Sequence, residues 1–443
     1  MVLVAYSTAR SFWNASVATD GGKAQASIRS VWPLPAANLE FLHDHEHKAM
    51  TASTQNFDVI ILGAGAAGLM CAMTAGQRGR KVLLLEHTDK VGAKVLISGG
   101  GRCNFSNLHC APDRFLSNNT HFCRSALNRY TQADFVSLIE RHGIAYHEKT
   151  LGQLFCDGSA RAVVDMLMAE CARGGVDVRV CHTIKGITRD DCFRVETSHG
   201  RFTASALVLA TGGMSIPKMG ATGFAYDLAA RFGLRITERL PGLVPLKATP
   251  EALGLKEHLP GVSLAATVSC AGQSFHENIL FTHRGLSGPA ILQISSYWRQ
   301  GYAISLDLVP REAESFLLER KQSRPKAEVK TVLAEILPTR LAHALAEVCV
   351  PPGPMANVPD RALIAFAARL KRWDVKPTGS EGWPKAEVTL GGIDTRDLSS
   401  TTMEARGVPG LYAVGEALDV TGWLGGYNFQ WAWSSGWCAG QAA

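Results

Sequence analysis

Residues 57–68 read FDVIILGAGAAG, and this stretch decides the fold. Its first six residues are apolar and largely β-branched, which predicts a buried parallel strand. The glycines then follow in the spacing G-x-G-x-x-G, and residues 69–77 have the periodicity of a helix. Residues 81–85 (KVLLL) predict a second strand, so the stretch opens a complete β-α-β unit of about thirty residues.

Each glycine of this motif has a separate predicted role in binding a dinucleotide. Gly63 permits the sharp turn, Gly65 lets the backbone approach a pyrophosphate, and Gly68 lets the helix pack on the strand. The helix start adds the N–H groups of Ala66 and Ala67 and the positive end of the helix dipole. A purely structural glycine turn is the alternative, but the strand–turn–helix context favours the ligand.

Glu86 ends the second strand, where an acidic residue accepts a ribose hydroxyl. An acid at this position favours a ribose without a 2′-phosphate, so the dinucleotide is FAD or NAD rather than NADP. Two later segments favour FAD. Residues 206–210 predict a buried strand that ends in Thr211-Gly212-Gly213, and residues 410–417 (GLYAVGEA) resemble a second FAD signature. That signature brings Gly415 and Glu416 towards the ribityl chain, with Asp419 as an alternative to Glu416.

Residues 425–440 predict a final helix that opens with Gly425, Gly426, Tyr427 and Asn428. Reduced flavin carries negative charge near N1 and the C2 carbonyl, and a glycine-rich helix start directs N–H donors at that charge. An ordinary capped amphipathic helix is the alternative. Trp433 and Trp437 lie four residues apart on it, which favours core packing over stacking on a flavin.

Residues 94–104 read KVLISGGGRCN, and three successive glycines suit neither a helix nor a strand interior. They suit a loop whose backbone lies against a planar or anionic ligand. Cys103 is either a small residue that lines the flavin or a reactive thiol, and the lack of a nearby partner cysteine favours the first. The predicted cofactor residues here are Lys94, Ser98, Gly99, Gly100, Gly101, Arg102, Cys103 and Asn104.

Together these motifs resemble the BaiN/YhiN-type (aminoacetone-oxidase-like) family of FAD-dependent oxidoreductases along nearly the whole chain from Phe57. The resemblance implies a bound FAD, an inserted β-barrel-like unit, an inserted helical unit and, for some members, reduction of a carbon–carbon double bond. Two segments depart from the family's pattern, Phe155-Cys156 and Trp423-Leu424, and both lie where a substrate could contact the protein. Further matching residues and segments are Asn107, Pro217, Thr222-Gly223, PGLVPL at 241–246, FTHRGLSGP at 281–289, TLGG at 389–392 and Gln430.

The fold expected is therefore α/β, with a Rossmann-type, glutathione-reductase-like FAD-binding domain interrupted by an insert. We assign residues 51–240 and 381–443 to the FAD-binding domain, 241–310 to a β-rich subdomain and 311–380 to a helical subdomain. Residues 1–50 show no periodic pattern and are expected to be a disordered extension, with Met50 a plausible true start.

Composition bears on the redox state of the cysteines, the cellular location and the partners of the protein. The 11 cysteines form no Cys-x-x-Cys pair and no His/Cys metal spacing, so we expect reduced thiols, a cytoplasmic location and no metal site. No apolar run approaches the ~18 residues that a membrane span needs, so no membrane partner is expected. The net charge of +6 is mild, but residues 310–380 hold 12 basic and 8 acidic residues.

Our leading hypothesis is reduction of a conjugated or ring C=C bond, with hydride from flavin N5 and a proton from the protein, acting on a small-molecule substrate. His283, in a constrained turn, is the first candidate proton donor, with a structural histidine as the alternative; Tyr427 is the second. No second G-x-G-x-x-G follows a strand, so no dedicated NAD(P)H domain is predicted. NAD(P)H is expected only as a transient electron donor, and another donor is the alternative.

Three other functions remain open at this point. One is a small-amine oxidase or dehydrogenase. Another is an RNA-acting flavoprotein that reduces or modifies a base and whose basic insert grips phosphates, although charge runs usually just solvate a surface. The third is a non-catalytic FAD-binding protein.

Overall fold

Residues 54–443 are described by the computed structural model, so the expectations for residues 1–50 lie outside the described part. The strands are β1 (Gln55–Leu62), β2 (Val82–Leu85), β3 (Asn104–Asn107), β4 (Phe115–Leu116), β5 (Tyr146–Glu148), β6 (Gln153–Cys156), β7 (Asp177–Arg179), β8 (Ile184–Arg189), β9 (Phe193–Thr197), β10 (Gly200–Leu209), β11 (Leu240–Gly242), β12 (Leu246–Lys247), β13 (Ser263–Cys270), β14 (Gln273–Thr282), β15 (Gly285–Ser287), β16 (Ile304–Asp307), β17 (Trp373–Val375), β18 (Gly379–Ser380), β19 (Val388–Leu390), β20 (Leu411–Ala413) and β21 (Thr421–Gly422).

The helices lie between and after these strands. They are α1 (Ala66–Gln77), α2 (Ala93–Ile97), α3 (Cys123–Arg129), α4 (Gln132–Arg141), α5 (Arg161–Arg173), α6 (Phe224–Arg231), α7 (Pro289–Ser295), α8 (Phe316–Ser323), α9 (Val329–Leu333), α10 (Thr339–Cys349), α11 (Asp360–Lys371) and α12 (Tyr427–Ala442). Among the described residues, no helix is both long enough and apolar enough to cross a membrane.

The first sheet has the strand order β7-β2-β1-β10-β9-β8, and β20 also pairs with β10. β7, β2, β1, β10 and β20 run parallel, whereas β8 and β9 extend the sheet as antiparallel strands. The last four residues of β1 and all four of β2 are buried, because helices cover the sheet. The predicted Rossmann-type α/β fold is confirmed.

The structure corrects one prediction about this sheet. The strand predicted at residues 206–210 is longer than expected, because Gly200–Leu209 is a single strand of 10 residues. The whole strand stays extended because β1 pairs along one edge from Phe202 to Leu209. The opposite edge is shared, since β9 pairs with its first half and β20 with its second.

The last helix packs on the first, which joins the two ends of the described chain. Two glycines of α12 allow this close approach: a β-carbon on Gly436 would lie 2.5 Å from the Ala67 carbonyl oxygen, and one on Gly440 would lie 2.7 Å from that of Cys71. Real β-carbons do not approach atoms this closely, so larger residues there would separate the helices. The middle of α12 therefore lies beside the start of α1, and the first turns of α12 extend beyond it.

The second sheet, of order β17-β16-β13-β14-β15-β12-β18, is antiparallel throughout. Its strands share one hydrophobic core with α8–α11, a core drawn from residues between 246 and 375, while the first sheet has its own core. These two cores support the predicted insert. The division at residues 240 and 380 stays a proposal.

The stretch 311–380 departs from the purely helical pattern expected. It contains α8–α11, but β17 and β18 then return the chain to the second sheet. The reason is tertiary: Trp373 and Val375 are buried at alternating positions and pair with β16, while the Leu308 N–H donates to the carbonyl of Leu370 at 2.9 Å. The β-rich and helical parts are therefore packed around one core.

Candidate functional site

Parallel strands of the first sheet deliver the predicted cofactor residues to one edge. Because β1, β2, β10 and β20 run in the same direction, their carboxyl ends lie side by side. Hydrogen bonds continue past the strand ends, with Gly63 N–H donating to Leu85 (2.8 Å) and Val414 N–H to Leu209 (3.0 Å). Open α/β sheets bind their ligands at this edge.

The three glycines of the first motif have different surroundings. Gly63 has a φ of +103°, and a β-carbon there would lie 2.6 Å from a carbonyl oxygen at the end of β10. A β-carbon on Gly68 would overlap the Gly63 carbonyl. In front of Gly65 there is nothing within 4 Å, and its φ of −82° suits any residue. The open space therefore lies where the first N–H groups of α1, from Ala66 and Ala67 onward, have no helical acceptor.

Glu86 is held against this loop. Its carboxylate is buried and accepts the Ala64 N–H (2.9 Å) and both the N–H (2.9 Å) and hydroxyl (3.0 Å) of Thr88. His87 Nδ1 lies 3.0 Å from the same carboxylate. The position beside the motif suits a ribose, and direct acceptance of a ribose hydroxyl by Glu86 stays a prediction.

The glycine-rich loop is folded as the sequence requires. It forms a short 3-10 turn, Ser98–Gly101, whose three glycines have φ values of +56°, +69° and +86°. A β-carbon on Gly99 would lie 2.7 Å from the Phe155 ring, whereas Gly100 faces open space. Cys103 also has a positive φ (+54°) and is fully buried, and this burial raises the pKa of its thiol to about 12. A buried thiol with a raised pKa is a poor nucleophile, which favours a small lining residue over a reactive thiol at this position.

Lys94 and Glu416 form an ion pair that links the two ends of the chain. Lys94 Nζ lies 2.9 Å from Glu416 Oε2 and donates to Ser215 Oγ at 2.8 Å. The other carboxylate oxygen of Glu416 accepts the Ser215 hydroxyl (2.8 Å) and the Thr389 N–H (2.9 Å). Burial alone would raise the pKa of the Glu416 carboxyl, but Lys94 and these hydrogen bonds hold it below its ordinary value. Glu416 is therefore ionised at neutral pH.

The segment after β10 lies against this ion pair. A β-carbon on Gly213 would lie 2.7 Å from Glu416 Oε1 and would overlap the Thr389 hydroxyl, so only glycine fits. Gly212, with a φ of +73°, has only Glu416 near it, at 4.0 Å. The Thr211 hydroxyl is buried and has no hydrogen-bond partner among the described residues. An unpartnered buried hydroxyl at a ligand-binding edge is what a missing ligand group leaves behind.

Two asparagines fix the start of α12. Asn107 Nδ2 donates to the Gly425 carbonyl at 2.8 Å. The Asn104 amide fits best with its oxygen accepting the Gly426 N–H at 3.2 Å. Gln153 packs against Gly425, where a β-carbon would lie 3.0 Å from its side chain. The glycine-rich loop and the last helix are thereby joined into one surface.

Asn428 is engaged by the protein itself. Its side chain accepts the Gly422 N–H (2.8 Å) and donates to the Gly422 carbonyl (2.9 Å), which closes the turn before α12. The first hydrogen bond of the helix joins Gln430 N–H to the Gly426 carbonyl at 3.0 Å. The N–H groups of residues 427–429 consequently have no helical acceptor and point out from the helix start. Both amide hydrogens of Asn428 are therefore used within the protein, since Nδ2 also donates to the Trp423 carbonyl at 3.3 Å.

The junction between the two sheets lies next to this helix start. Tyr427 is buried, with its ring 6.1 Å from that of Phe115 and 6.4 Å from that of Trp423. Trp423 in turn donates through Nε1 to the Tyr297 hydroxyl of the insert at 2.7 Å, and the Arg114 guanidinium stacks 4.4 Å from its ring. Burial raises the pKa of Tyr427 to about 12, so it keeps its proton at neutral pH.

His283 has a different environment. It is exposed in the turn between β14 and β15, and the described residues offer its side chain no hydrogen bond. The insert residue that does reach the helix start is Gln293, whose side chain accepts the Leu424 N–H (3.0 Å) and donates to Glu277 (2.7 Å). The catalytic role of His283 stays a prediction.

Sequence reasoning missed several residues that complete the site. Asn107 and Thr389 belong to quoted motifs but received no role, and Ser215, Gln153 and Gln293 carry no local signal because their partners are distant in the chain. Arg102 lies in the glycine-rich loop, and its carbonyl accepts the Cys156 N–H at 3.1 Å. No cluster of three metal-ligating side chains occurs within residues 54–443.

The residues present fit FAD. The space before Gly65 suits a pyrophosphate, and the first N–H groups of α12 suit an anionic ring edge. The buried Thr211 hydroxyl, which has no partner among the described residues, suits a polar group of a ligand. Gly65 and Thr211 follow β1 and β10 at one edge of the first sheet, and the start of α12 extends beyond the start of α1, which suits one extended dinucleotide.

Comparison with known proteins shows the family to which the chain belongs. The HI0933-like protein Rossmann domain family matches residues 57–442. The ribosomal RNA dihydrouridine synthase of Escherichia coli (strain K12) is 49% identical over 391 residues, which are 87% of this chain and 98% of that protein. The protein of that name from Haemophilus influenzae is 44% identical over 392 residues (86% and 97%).

A more distant relative is the 3-dehydro-bile acid delta(4,6)-reductase of Clostridium scindens, 27% identical over 406 residues, which are 86% of this chain and 98% of that protein. The resemblance predicted from the motifs is confirmed. The chain belongs to the HI0933-like Rossmann family of FAD-dependent oxidoreductases.

Proposed function

We propose that this enzyme reduces the C5=C6 double bond of a uracil base in ribosomal RNA, and that it works in the cytoplasm. One observation supports the substrate above others: two relatives named ribosomal RNA dihydrouridine synthase match the chain at 49% and 44% identity over 98% and 97% of their length. The C5=C6 bond of uracil is a ring double bond conjugated to a carbonyl. The proposal therefore joins two expectations, reduction of such a bond and action on RNA.

The reaction adds one hydride and one proton across the double bond. Reduced FAD, when bound, would supply the hydride for C6 of the base, and a side chain of this protein would supply the proton for C5. The uracil ring gains two electrons, and the flavin must recover two from a donor. We propose NADH or NADPH as this donor, bound transiently, since the motifs provide one dinucleotide site.

The chain's own residues would bind the cofactor, orient it and protonate the base. The start of α12 presents the N–H groups of residues 427–429, which stabilise negative charge on the reduced ring system. The Lys94–Glu416 pair and Thr211 line the edge where the ribityl and phosphate groups would lie. Tyr427, which keeps its proton at neutral pH, and His283 are the candidate donors to C5.

The decisive experiment is conversion of RNA in vitro. Ribosomal RNA from cells that lack this gene is incubated anaerobically with the purified protein and NADH or NADPH. The RNA is then digested to nucleosides and dihydrouridine is measured by mass spectrometry. We expect one position to be converted in proportion to enzyme, and conversion to be absent without reductant. Flavin that is reduced but not reoxidised by any RNA would contradict the proposal.

A small-molecule enone is the second candidate substrate, favoured by the full-length match to the bile acid reductase. Reoxidation of the reduced flavin by conjugated ketones, in the absence of RNA, would support it. Turnover driven by an amine without added reductant would instead support the amine oxidase hypothesis. The same anaerobic assay therefore separates all three functions.

A further inference from the structure

A cavity of about 390 Å³ lies outside the predicted cofactor residues. It is lined by two segments that are far apart in the chain, the loop before α3 and the hairpin before β20. Its lining is mostly polar: Asn119, His121, Phe122, Thr395, Arg396, Leu398, Ser400 and Arg406. None of these residues belongs to the set expected to bind FAD.

Thr395 is the unusual member of this lining. Its side chain is almost fully buried, at 1% exposure, yet its hydroxyl has no hydrogen-bond partner among the described residues. A buried hydroxyl without a hydrogen bond destabilises the folded protein, so proteins rarely keep one without a ligand or water to satisfy it. The wall of the cavity therefore contains a polar group that lacks its partner.

The charges at the cavity favour an anion. Arg396 is paired with the buried Asp394, so its charge is largely offset. Arg406 is exposed and, within residues 54–443, forms no ion pair; its Nε donates only to the Leu398 carbonyl at 3.1 Å. His121 is exposed on the other segment. The outer guanidinium nitrogens of Arg406 are thus available for a phosphate, which arginine binds in a bidentate way.

The wall of the cavity also contacts α12, the helix whose start is predicted to face the cofactor. The loop that carries Asn119 is tied to the approach to α12, because the Asn118 N–H donates to Asp419 at 3.0 Å. Phe122, in the wall of the cavity, packs edge-on at 6.2 Å against Trp431 of α12. Trp431 lies one turn after Tyr427, whose N–H belongs to the helix start. A phosphate in the cavity would lie on the flank of the helix whose first turn serves the reaction.

We propose that this cavity is a phosphate-binding site that holds a backbone phosphate of the RNA substrate. The inference rests on the proposed function for its choice of RNA. The phosphates of the nicotinamide dinucleotide donor share the same chemistry and are the second source to be tested. Thr395 would donate its hydroxyl to a phosphate oxygen and Arg406 would supply the charge.

Two variants test the site. Thr395→Val keeps the shape and removes only the unpartnered hydroxyl, so the protein should melt no lower than wild type while its affinity for RNA falls about fivefold. Arg406→Gln should weaken RNA binding about tenfold and reduce the slope of log affinity against log salt by about 0.7 to 0.9. Affinity is measured by filter binding of deproteinised ribosomal RNA across a salt series.

Matched controls separate this effect from general damage. Thr74→Val removes a buried hydroxyl that does have a partner, the Met70 carbonyl at 2.7 Å, so it should lower the melting temperature and leave RNA affinity unchanged. Arg80→Gln removes an exposed charge outside the cavity and should leave the affinity and the slope within twofold of wild type.

A parallel arm titrates NADH and NADPH by the rate of anaerobic flavin reduction. Weaker dinucleotide affinity in both variants with unchanged RNA affinity would assign the cavity to the donor and overturn the RNA assignment. Unchanged affinity for both ligands would overturn the site. If the wild type binds no RNA at low salt, the proposed function fails, and the dinucleotide arm alone decides whether the cavity binds phosphate.

Discussion

The cofactor edge of the first sheet and the helical half of the insert contain different kinds of recognition surface. The edge is built mainly from backbone, with open space before Gly65 and Gly100 and unpaired N–H groups at two helix starts. The insert is built from paired side chains. Arg320 and Arg324 both contact Glu335, and Lys371 contacts Asp307.

This difference shows why a charge count is a weak guide to a nucleic-acid surface. Residues 310–380 carry 12 basic and 8 acidic residues, but the structure pairs many of the basic ones with acids or carbonyls. Arg369 stacks 4.1 Å from the Trp373 ring, and Lys371 also donates to the Val309 carbonyl at 3.1 Å. RNA binding through the insert stays a prediction. Its best candidates are exposed basic residues that form neither an ion pair nor a side-chain hydrogen bond among the described residues: Arg311, Lys326, Arg361 and Lys376.

The largest effect is expected at the edge. Gly65→Val should abolish FAD binding, because its side chain would occupy the open space that the pyrophosphate needs. The fold should persist, since a β-carbon at Gly65 meets nothing and its φ of −82° suits valine. Flavin absorbance per protein and a thermal melt measure both properties.

Gly68→Val is the contrasting variant, since its β-carbon would overlap the Gly63 carbonyl and should impair folding itself. Normal flavin content in Gly65→Val would mean that the dinucleotide binds elsewhere.

The next largest effect concerns the proton donor, for which Tyr427 at the start of α12 and His283 in the β-rich part of the insert are the candidates. Tyr427→Phe keeps the packing against Phe115 and should reduce turnover about 100-fold, within the range for loss of a general acid, without loss of FAD. His283→Gln, in an exposed turn, should reduce turnover less than threefold. Single-turnover oxidation of the reduced flavin by RNA is the measurement, and the opposite order of effects would move the donor to the insert.

A moderate effect is expected from Glu416→Gln. The folded-state pKa of this carboxyl lies below its ordinary value of 4.5, so its stabilising contribution is present above that value and is lost as pH falls through the lower pKa. At neutral pH the variant should lose about 1–2 kcal/mol of unfolding free energy. The loss should shrink in acid.

Urea unfolding of apoprotein at pH 7 and near pH 4 tests this pair. Glu196→Gln, which breaks an exposed pair with Arg201 (3.4 Å), is the control and should have little effect at either pH. An equal loss at both pH values would show that the Glu416 charge is not responsible.

The smallest effects on stability are expected for basic residues of the insert. They distinguish a residue paired with acids and carbonyls from one that has no such partner among the described residues. Lys371→Met should lower the unfolding free energy by about 1 kcal/mol, because Asp307 and two carbonyls lose their donor. Arg361→Gln should change it by less than about 0.5 kcal/mol, as expected for an exposed residue without a partner. RNA affinity that falls with Arg361→Gln but not with Lys371→Met would support binding through the insert.

The sequence by itself determined the first β-α-β unit, the glycine positions and the family. These features depend on local rules: strand and helix periodicity, and backbone conformations that favour glycine, as Gly63 and residues 99–101 show. Tertiary structure alone decided that residues 200–209 form one strand, that β17 returns to the second sheet, and that Lys94, Ser215 and Thr389 surround Glu416. It also decided which basic residues are neutralised and which hydroxyls, at Thr211 and Thr395, lack a partner. The physical reason is that pairing of strands, ions and hydrogen bonds depends on distance in space, which residues far apart in the chain acquire only when it folds.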